Sequence, residues 1–123
     1  MSNSVSLSGV MSASLGPDGS SPPSREDLMF TYGYNQKVDV TINFDGPVTD
    51  QPVGLNRLAT DGGRVLFIRV EIGQCTVKLN SGAPLPMAAG AGDFWLANKI
   101  TGWLTDLKIS TTGPAKVIVR VYG

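Results

Sequence analysis

Apolar and polar residues alternate in short runs along most of this chain, and turn-forming residues separate the runs. Residues 37–44 form the clearest run, with every second residue apolar and Asp-Gly-Pro at 45–47 directly after it. Residues 64–72 follow the Asp-Gly-Gly turn at 61–63; one face of this run is fully apolar, and the other includes Arg69 and Glu71. Both runs predict β-strands with one buried face, and we expect the second to be central in a sheet. Its apolar face comprises Leu66, Ile68, Val70 and Ile72.

Further runs of this kind predict an antiparallel β-structure. Residues 103–110 and 115–122 flank Thr-Thr-Gly-Pro at 111–114 and predict a closing hairpin. The last strand should turn Ala115, Val117, Val119 and Val121 inward. The other predicted strands are residues 75–79, 29–32, 53–60, 86–88 and 94–100. Gly, Pro and β-branched residues interrupt every candidate for a capped helix of about ten residues. Roughly eight short strands predict an all-β fold, an antiparallel β-sandwich of jelly-roll-like type.

Residues 1–24 have a different composition from the rest of the chain. Ser, Gly and Pro dominate, and Asp18 is the one charged residue. Such a segment cannot build a hydrophobic core by itself, and the prolines near its end stiffen it. We therefore predict an extended arm and spacer at residues 1–27 and a β-sandwich domain at residues 28–123.

The arm contains most of the residues that we expect to bind a partner. Residues 4–8 alternate between serine and an apolar residue, as a strand added to the edge of another sheet would. Fixing an arm costs about 1–2 kcal/mol of backbone entropy per residue, and docking onto a neighbouring subunit would offset that cost. The alternative is that the arm folds back onto its own domain. The expected partner-binding residues of the arm are Val5, Leu7, Val10, Met11 and Leu15.

The charge balance argues against nucleic acid as a partner. Ten basic and ten acidic residues give a formal net charge of +0, so no strong positive field is present to attract phosphates. Residues 1–63 carry three basic and seven acidic side chains, and residues 64–123 carry seven and three. Two oppositely charged faces would suit head-to-tail contacts between copies. The alternative, and the simpler one, is that interleaved strands mix the two signs.

Membrane insertion and secretion are not expected. No apolar stretch approaches the roughly 20 residues that span a bilayer. The N-terminus also lacks the basic-then-apolar order of a signal peptide. We expect a soluble protein that is made in the cytoplasm and has no membrane partner.

The residue inventory argues against an enzyme. The chain has no histidine, which removes the commonest general base and the commonest metal ligand. Cys75 begins an alternating run and shares its face with Val77 and Leu79, so it should act as a small buried hydrophobic residue. The carboxylates show no spacing that singles out a catalytic pair. We expect no catalytic residue, no cofactor and no metal, with Ca²⁺ beside Asp45, Asp61 or Asp93 as the alternative.

Aromatic residues are the other candidates for recognition. Phe94 and Trp95 are adjacent, so in a strand one can enter the core while the other meets solvent, a partner or a sugar. Trp95 is therefore the sixth expected partner-binding residue. A carbohydrate-binding module would use such rings for stacking, and this is the second function hypothesis. Cover for the core remains the simpler role for Phe94 and Trp103.

Three features of the chain carry a resemblance to a known family: the Ser/Gly/Pro arm, residues 74–82 with the following Pro84-Leu85-Pro86-Met87, and the ending at residues 102–110 and 115–123. In these features the chain resembles small virion structural proteins of tailed bacteriophages, especially capsid decoration (cement) proteins and tail-accessory β-sandwiches. The resemblance implies a non-enzymatic virion protein, synthesised in the host cytoplasm, that forms homo-oligomers, often trimers. It implies an arm that reaches across neighbouring major capsid subunits, with a tail or baseplate accessory role as the alternative.

Overall fold

The computed structural model describes residues 3–13, 24–98 and 100–123, and it divides the chain into two units, Met1–Tyr34 and Asn35–Gly123. The first unit contains strands β1 (Asn3–Ala13) and β2 (Ser24–Tyr34), which pair antiparallel over their full lengths. The spacer at residues 14–23 lies outside the described residues. Residues 28–34, which we expected in the sandwich, belong to β2 and pair with β1.

The second unit contains eight strands and one helical turn. The first sheet has the strand order β3-β10-β5-β8, and the second sheet has the order β4-β9-β6-β7. The elements are β3 (Lys37–Phe44), β4 (Val48–Pro52), α1 (Leu58–Asp61), β5 (Val65–Ile72), β6 (Gln74–Leu79), β7 (Leu85–Ala88), β8 (Phe94–Ala97), β9 (Leu107–Thr111) and β10 (Ala115–Tyr122).

One hydrophobic core joins the two sheets. Leu66 and Val119 of the first sheet and Val77 and Ile109 of the second are 0% exposed and belong to the same cluster. Every second residue of β10 is buried, because alternation sends those side chains toward the opposite sheet. The apolar residues of β3 point the same way, with Val38 and Phe44 buried and Val40 and Ile42 half-buried. The predicted all-β antiparallel sandwich is confirmed, with ten strands described in place of the roughly eight expected.

The predicted closing hairpin of residues 103–110 and 115–122 is wrong. β9 pairs with β4 and β6 in the second sheet, whereas β10 pairs with β3 and β5 in the first. The residues between β9 and β10 therefore carry the chain from one sheet to the other. The strand that we predicted at residues 103–110 begins only at Leu107. The backbone N–H groups of Thr105 and Asp106 are not available to a strand pair, because they donate hydrogen bonds to the Asn80 side chain.

Two further strand predictions need correction. Residues 53–60 do not form a strand, because Asn56 has a positive φ of 56° and the chain then enters α1. Ile72 does not join the buried face of β5 and is 58% exposed. The register of β5 against β10 shifts between Lys116 and Val117, so the alternation of β5 is interrupted before Ile72.

Candidate functional site

The two faces of the β1–β2 hairpin differ: one is apolar, and the other is rich in serine and also carries Met29, which is 84% exposed. Val5 lies opposite Tyr32 and Leu7 lies opposite Phe30, so these four side chains share a face with Tyr34. Tyr32 is buried, and the other four are half-buried. On the opposite face Ser6 and Thr31 are paired, and their hydroxyl oxygens lie 3.2 Å apart. We call the five-residue set Val5, Leu7, Phe30, Tyr32 and Tyr34 the hairpin face.

The structure places the predicted arm residues unevenly. Val5 and Leu7 lie on the hairpin face, whereas the side chains of Val10 and Met11 and the whole of Leu15 lie outside the described part of the chain. The run at residues 4–8 pairs with residues 29–33 of β2 in its own chain, which corresponds to the alternative that the arm folds back. Phe30 was not among the predicted site residues, although Phe30, Tyr32 and Tyr34 recur at every second position, which is the period of a strand face.

A second surface lies on the solvent side of the first sheet, where one row of side chains crosses all four strands. The strand registers place Asp39, Arg120, Phe67 and Trp95 side by side in that order. The guanidinium carbon of Arg120 lies 5.7 Å from the centre of the Phe67 ring, a distance that suits a cation–π contact. Arg120 Nε lies 3.4 Å from a carboxylate oxygen of Asp39. The row is therefore an ordered aromatic and charged strip.

Arg69 also contacts this strip, because its guanidinium group lies near the same Phe67 ring. Its Nε and Nη2 donate to the two carboxylate oxygens of Asp93 at 2.8 and 2.7 Å, and its guanidinium carbon lies 5.4 Å from the centre of the Phe67 ring. These hydrogen bonds hold the pKa of Asp93 below its ordinary value. Because both arginines have a carboxylate partner, the strip offers little net charge to an ionic ligand.

Trp95 is the sandwich residue that the sequence analysis singled out for recognition. It is 44% exposed, while its neighbour Phe94 is half-buried and packs against the core. The prediction that the two rings separate to opposite faces is confirmed. Trp103 is half-buried and packs against the core as expected, and its indole N–H donates to the backbone oxygen of Arg64 at 2.9 Å.

The exposed ring has apolar neighbours along the chain. Leu96 is 45% exposed and Ile100 is 88% exposed. Leu96 pairs with the fully buried Leu66, so it points toward the inner side of the first sheet. Its exposure follows from its place in β8, which is the last strand of that sheet. An apolar edge is therefore exposed here.

A cavity of about 620 Å³ lies at one end of the second sheet. Val48, Gln74, Thr76, Met87 and Thr111 are among its lining residues, which include no aromatic or charged side chain. Cys75 also lines it and is buried as predicted, and that burial raises the pKa of its thiol. A protonated thiol is a poor nucleophile, so this cavity lacks an activated group.

The described carboxylates are mostly engaged in ion pairs between strands. Asp50 pairs with Lys78 at 3.1 Å and Glu71 pairs with Lys116 at 3.3 Å. The hydrogen bond from Lys78 is the main cause of the lowered pKa of Asp50. Pairs such as Asp39–Arg120 and Asp50–Lys78 join the acidic first half of the sequence to the basic second half. The interleaving of the two charge signs is thus confirmed.

Neither a metal cluster nor a membrane-spanning helix occurs in the described part of the chain. Among residues 3–13, 24–98 and 100–123 there is no group of three or more Cys, Asp or Glu side chains placed to hold a metal ion. No helix in those ranges is long and apolar enough to cross a membrane.

No protein-family model and no curated protein matches this sequence. The hairpin face, the strip around Phe67 and the edge at β8 are therefore the basis for a functional proposal.

Proposed function

We propose that this chain is a non-catalytic structural protein that binds neighbouring protein subunits in a larger assembly through its β1–β2 hairpin. The observation that carries the proposal is the hairpin face. Val5, Leu7, Phe30 and Tyr34 are only half-buried, although they line up on one side of a two-stranded ribbon. A two-stranded hairpin is marginal by itself in water and gains stability when a further layer covers its apolar face.

The burial energies are large enough for this role. Completing the burial of an apolar side chain contributes up to about 1.5–3 kcal/mol, before the cost of ordering is subtracted. Several such side chains on one hairpin give a contact of useful strength, and many copies on one particle make weak contacts collectively strong. The serine-rich opposite face stays compatible with water.

The finer assignment rests on the resemblance to small phage virion proteins. It makes the chain a capsid decoration protein located in the virion, with major capsid subunits as partners and a homo-oligomer, often a trimer, as the working form. A tail or baseplate accessory role is the alternative within the same class. The ion-paired carboxylates and the absence of histidine from the sequence support a non-enzymatic role.

The test compares two charge insertions on the hairpin. Val5→Asp with Leu7→Asp places charges on the hairpin face, whereas Met29→Asp with Thr31→Asp places the same charges on the opposite face, on β2. We expect the wild-type protein and the opposite-face variant to sediment as oligomers or with virus particles. The face variant should lose this association at least tenfold while keeping the circular dichroism of the sandwich. Equal association of the two variants would refute the role of the hairpin.

A carbohydrate-binding role is the second candidate, because Trp95 is 44% exposed on the outer side of the first sheet. The Trp95 ring can stack on a sugar. The two arginines of the strip, Arg69 and Arg120, are already engaged by carboxylates and by the Phe67 ring, so the stacking would rest on Trp95. This role predicts saturable glycan binding that Trp95→Ala abolishes while assembly stays intact. If the wild type bound no glycan and Trp95→Ala lost assembly, this role would be excluded.

A further inference from the structure

Six strands of the described structure lie at a sheet edge, and they differ in how well they resist pairing with another chain. The edge strands are β1 and β2 of the hairpin, β3 and β8 of the first sheet, and β4 and β7 of the second. An open edge presents unpaired backbone N–H and C=O groups, and proteins protect such edges with charges, prolines and bulges.

Four of these edges carry such protection. β3 contains Lys37 and Asp39, and β2 contains Arg25, Glu26 and Asp27. β7 contains Pro86. β4 contains Pro52 and has a register shift at Asp50, whose φ is 48°. Each feature opposes the addition of a further strand.

The remaining two edges, β1 and β8, have no such protection. β1 is eleven residues long and contains neither a charged residue nor a proline. β8 has the sequence Phe-Trp-Leu-Ala and is equally free of both. Leu96 is 45% exposed although it points to the inner side of the sheet, where an added strand would cover it. The chain therefore offers one long and one short unprotected edge.

From this pairing of unprotected edges we infer that β1 of one copy adds to β8 of a second copy. The contact would extend the first sheet to the order β3-β10-β5-β8-β1-β2, with the last two strands from the neighbour. This inference rests on the proposed function and deepens it, because it names the surface that receives the hairpin.

The two faces of the added hairpin match the two faces of the sheet. Side chains that lie opposite each other across a strand pair point to the same side. With Val5 and Leu7 on the inner side they meet Leu96, and apolar surface stays continuous with the core. Ser6 then lies on the outer side beside Trp95. Any other orientation would place serines against the exposed Leu96.

The connectivity favours a second copy as the source of the hairpin. β2 leads through Asn35 and Gln36 directly into β3, and β3 lies at the opposite edge of the first sheet from β8. The contact joins two different surfaces of the molecule, so each copy can both give and receive a hairpin. β8 is four residues long, so the burial of apolar side chains must add to the few backbone hydrogen bonds.

Cysteine cross-linking between separately prepared chains tests the contact. In a Cys75→Ala background, chains with Ser4→Cys, Ser6→Cys or Ser8→Cys are each mixed with chains carrying Ala97→Cys and then oxidised. Ala97 lies on the outer side of β8, beside Trp95. We expect a disulfide-linked pair of unlike chains for at least one serine position, at fivefold or more above the same mixture with Thr41→Cys on β3. Like-with-like pairs alone, or no pair above that control, would overturn the inference.

A charge on the receiving edge provides the second measurement. Leu96→Lys should weaken self-association at least tenfold in sedimentation equilibrium, whereas Thr41→Lys on the protected β3 edge should change it less than twofold. Equal effects of the two lysines would overturn the inference. If the hairpin-face variant loses assembly but no cross-link to β8 forms, the proposed function stands and this inference fails.

Discussion

Gly73 connects β5 to β6 at the point where the chain leaves the first sheet for the second. Its φ is +75°, and a Cβ atom there would overlap the carbonyl oxygen of Pro114 and lie 3.2 Å from the Cα atom of Ala115. Gly90 in the β7–β8 connection has nearly the same φ, +79°, but its Cβ would meet no heavy atom within 4 Å. The two glycines therefore separate the cost of backbone conformation from the cost of close packing.

The expected losses of stability follow from these two terms. Placing an alanine in the left-handed region costs about 1–2 kcal/mol of stability. The same substitution restricts the unfolded chain, and this stabilises the folded state by about 0.4–1 kcal/mol. Gly90→Ala should therefore destabilise the protein by about 1 kcal/mol or less. Gly73→Ala must in addition displace the β9–β10 connection, which adds about 1–3 kcal/mol by analogy with overpacked cores. The difference between the variants should be about 2 kcal/mol.

Urea unfolding followed by tryptophan fluorescence measures both variants. The midpoint should fall more for Gly73→Ala, with an unchanged dependence on urea concentration, because the same surface is exposed on unfolding. In a thermal melt each kcal/mol corresponds to about 4–8 °C for a domain of this size. Equal losses of stability, within about 0.5 kcal/mol, would show that the contact with Pro114 does not constrain the fold.

Two further predictions concern Asn80 and Cys75. The Asn80 side chain accepts hydrogen bonds from the N–H groups of Thr105 and Asp106 and donates one to the backbone oxygen of Trp103. Asn80→Ala should therefore lower the free energy of unfolding, measured in urea, by about 2–3 kcal/mol. Ser81→Ala should lower it less. Burial raises the pKa of Cys75, so the folded state keeps its proton while the unfolded state releases it. Stability should fall as pH rises above the ordinary thiol pKa, and Cys75→Ala should lose this dependence; equal slopes for the two proteins would contradict it.

The alternation of residues predicted which side of each strand is buried, and it did so well for β3 and β10. It did not predict which strands are neighbours, because the period of two describes a face and contains no information about the adjacent chain. Residues 103–110 and 115–122 were expected to pair for that reason, although β9 and β10 lie in different sheets. Their nearness along the chain was mistaken for a hairpin.

The remaining differences come from single side chains or single backbone angles. Asn80 occupies the N–H groups of Thr105 and Asp106, and nothing in the apolar pattern of residues 103–110 signals this. Ile72 is exposed because of a register shift. Three residues of the candidate surfaces could be singled out from the sequence. Val5 and Leu7 alternate with serines, and Trp95 is adjacent to Phe94, so only one of those two rings can enter the core. The pairing of β1 with β2 corresponds to the alternative of an arm that folds back, and the apolar pattern did not decide between this alternative and docking onto a neighbour.

A contact between β1 of one copy and β8 of the next has a consequence for the size of the assembly. Such a contact joins two different surfaces, so repeating it produces either a closed ring or an open chain of copies. The angle between successive copies decides between them, and closure after three steps would give the trimer that the resemblance to phage proteins implies. In a closed ring every β8 edge is covered by a hairpin, whereas an open chain leaves one β8 and one β1 exposed at its ends. Because a closed ring leaves no uncharged Phe-Trp-Leu-Ala edge open to a further strand, the inferred contact favours the ring over the open chain.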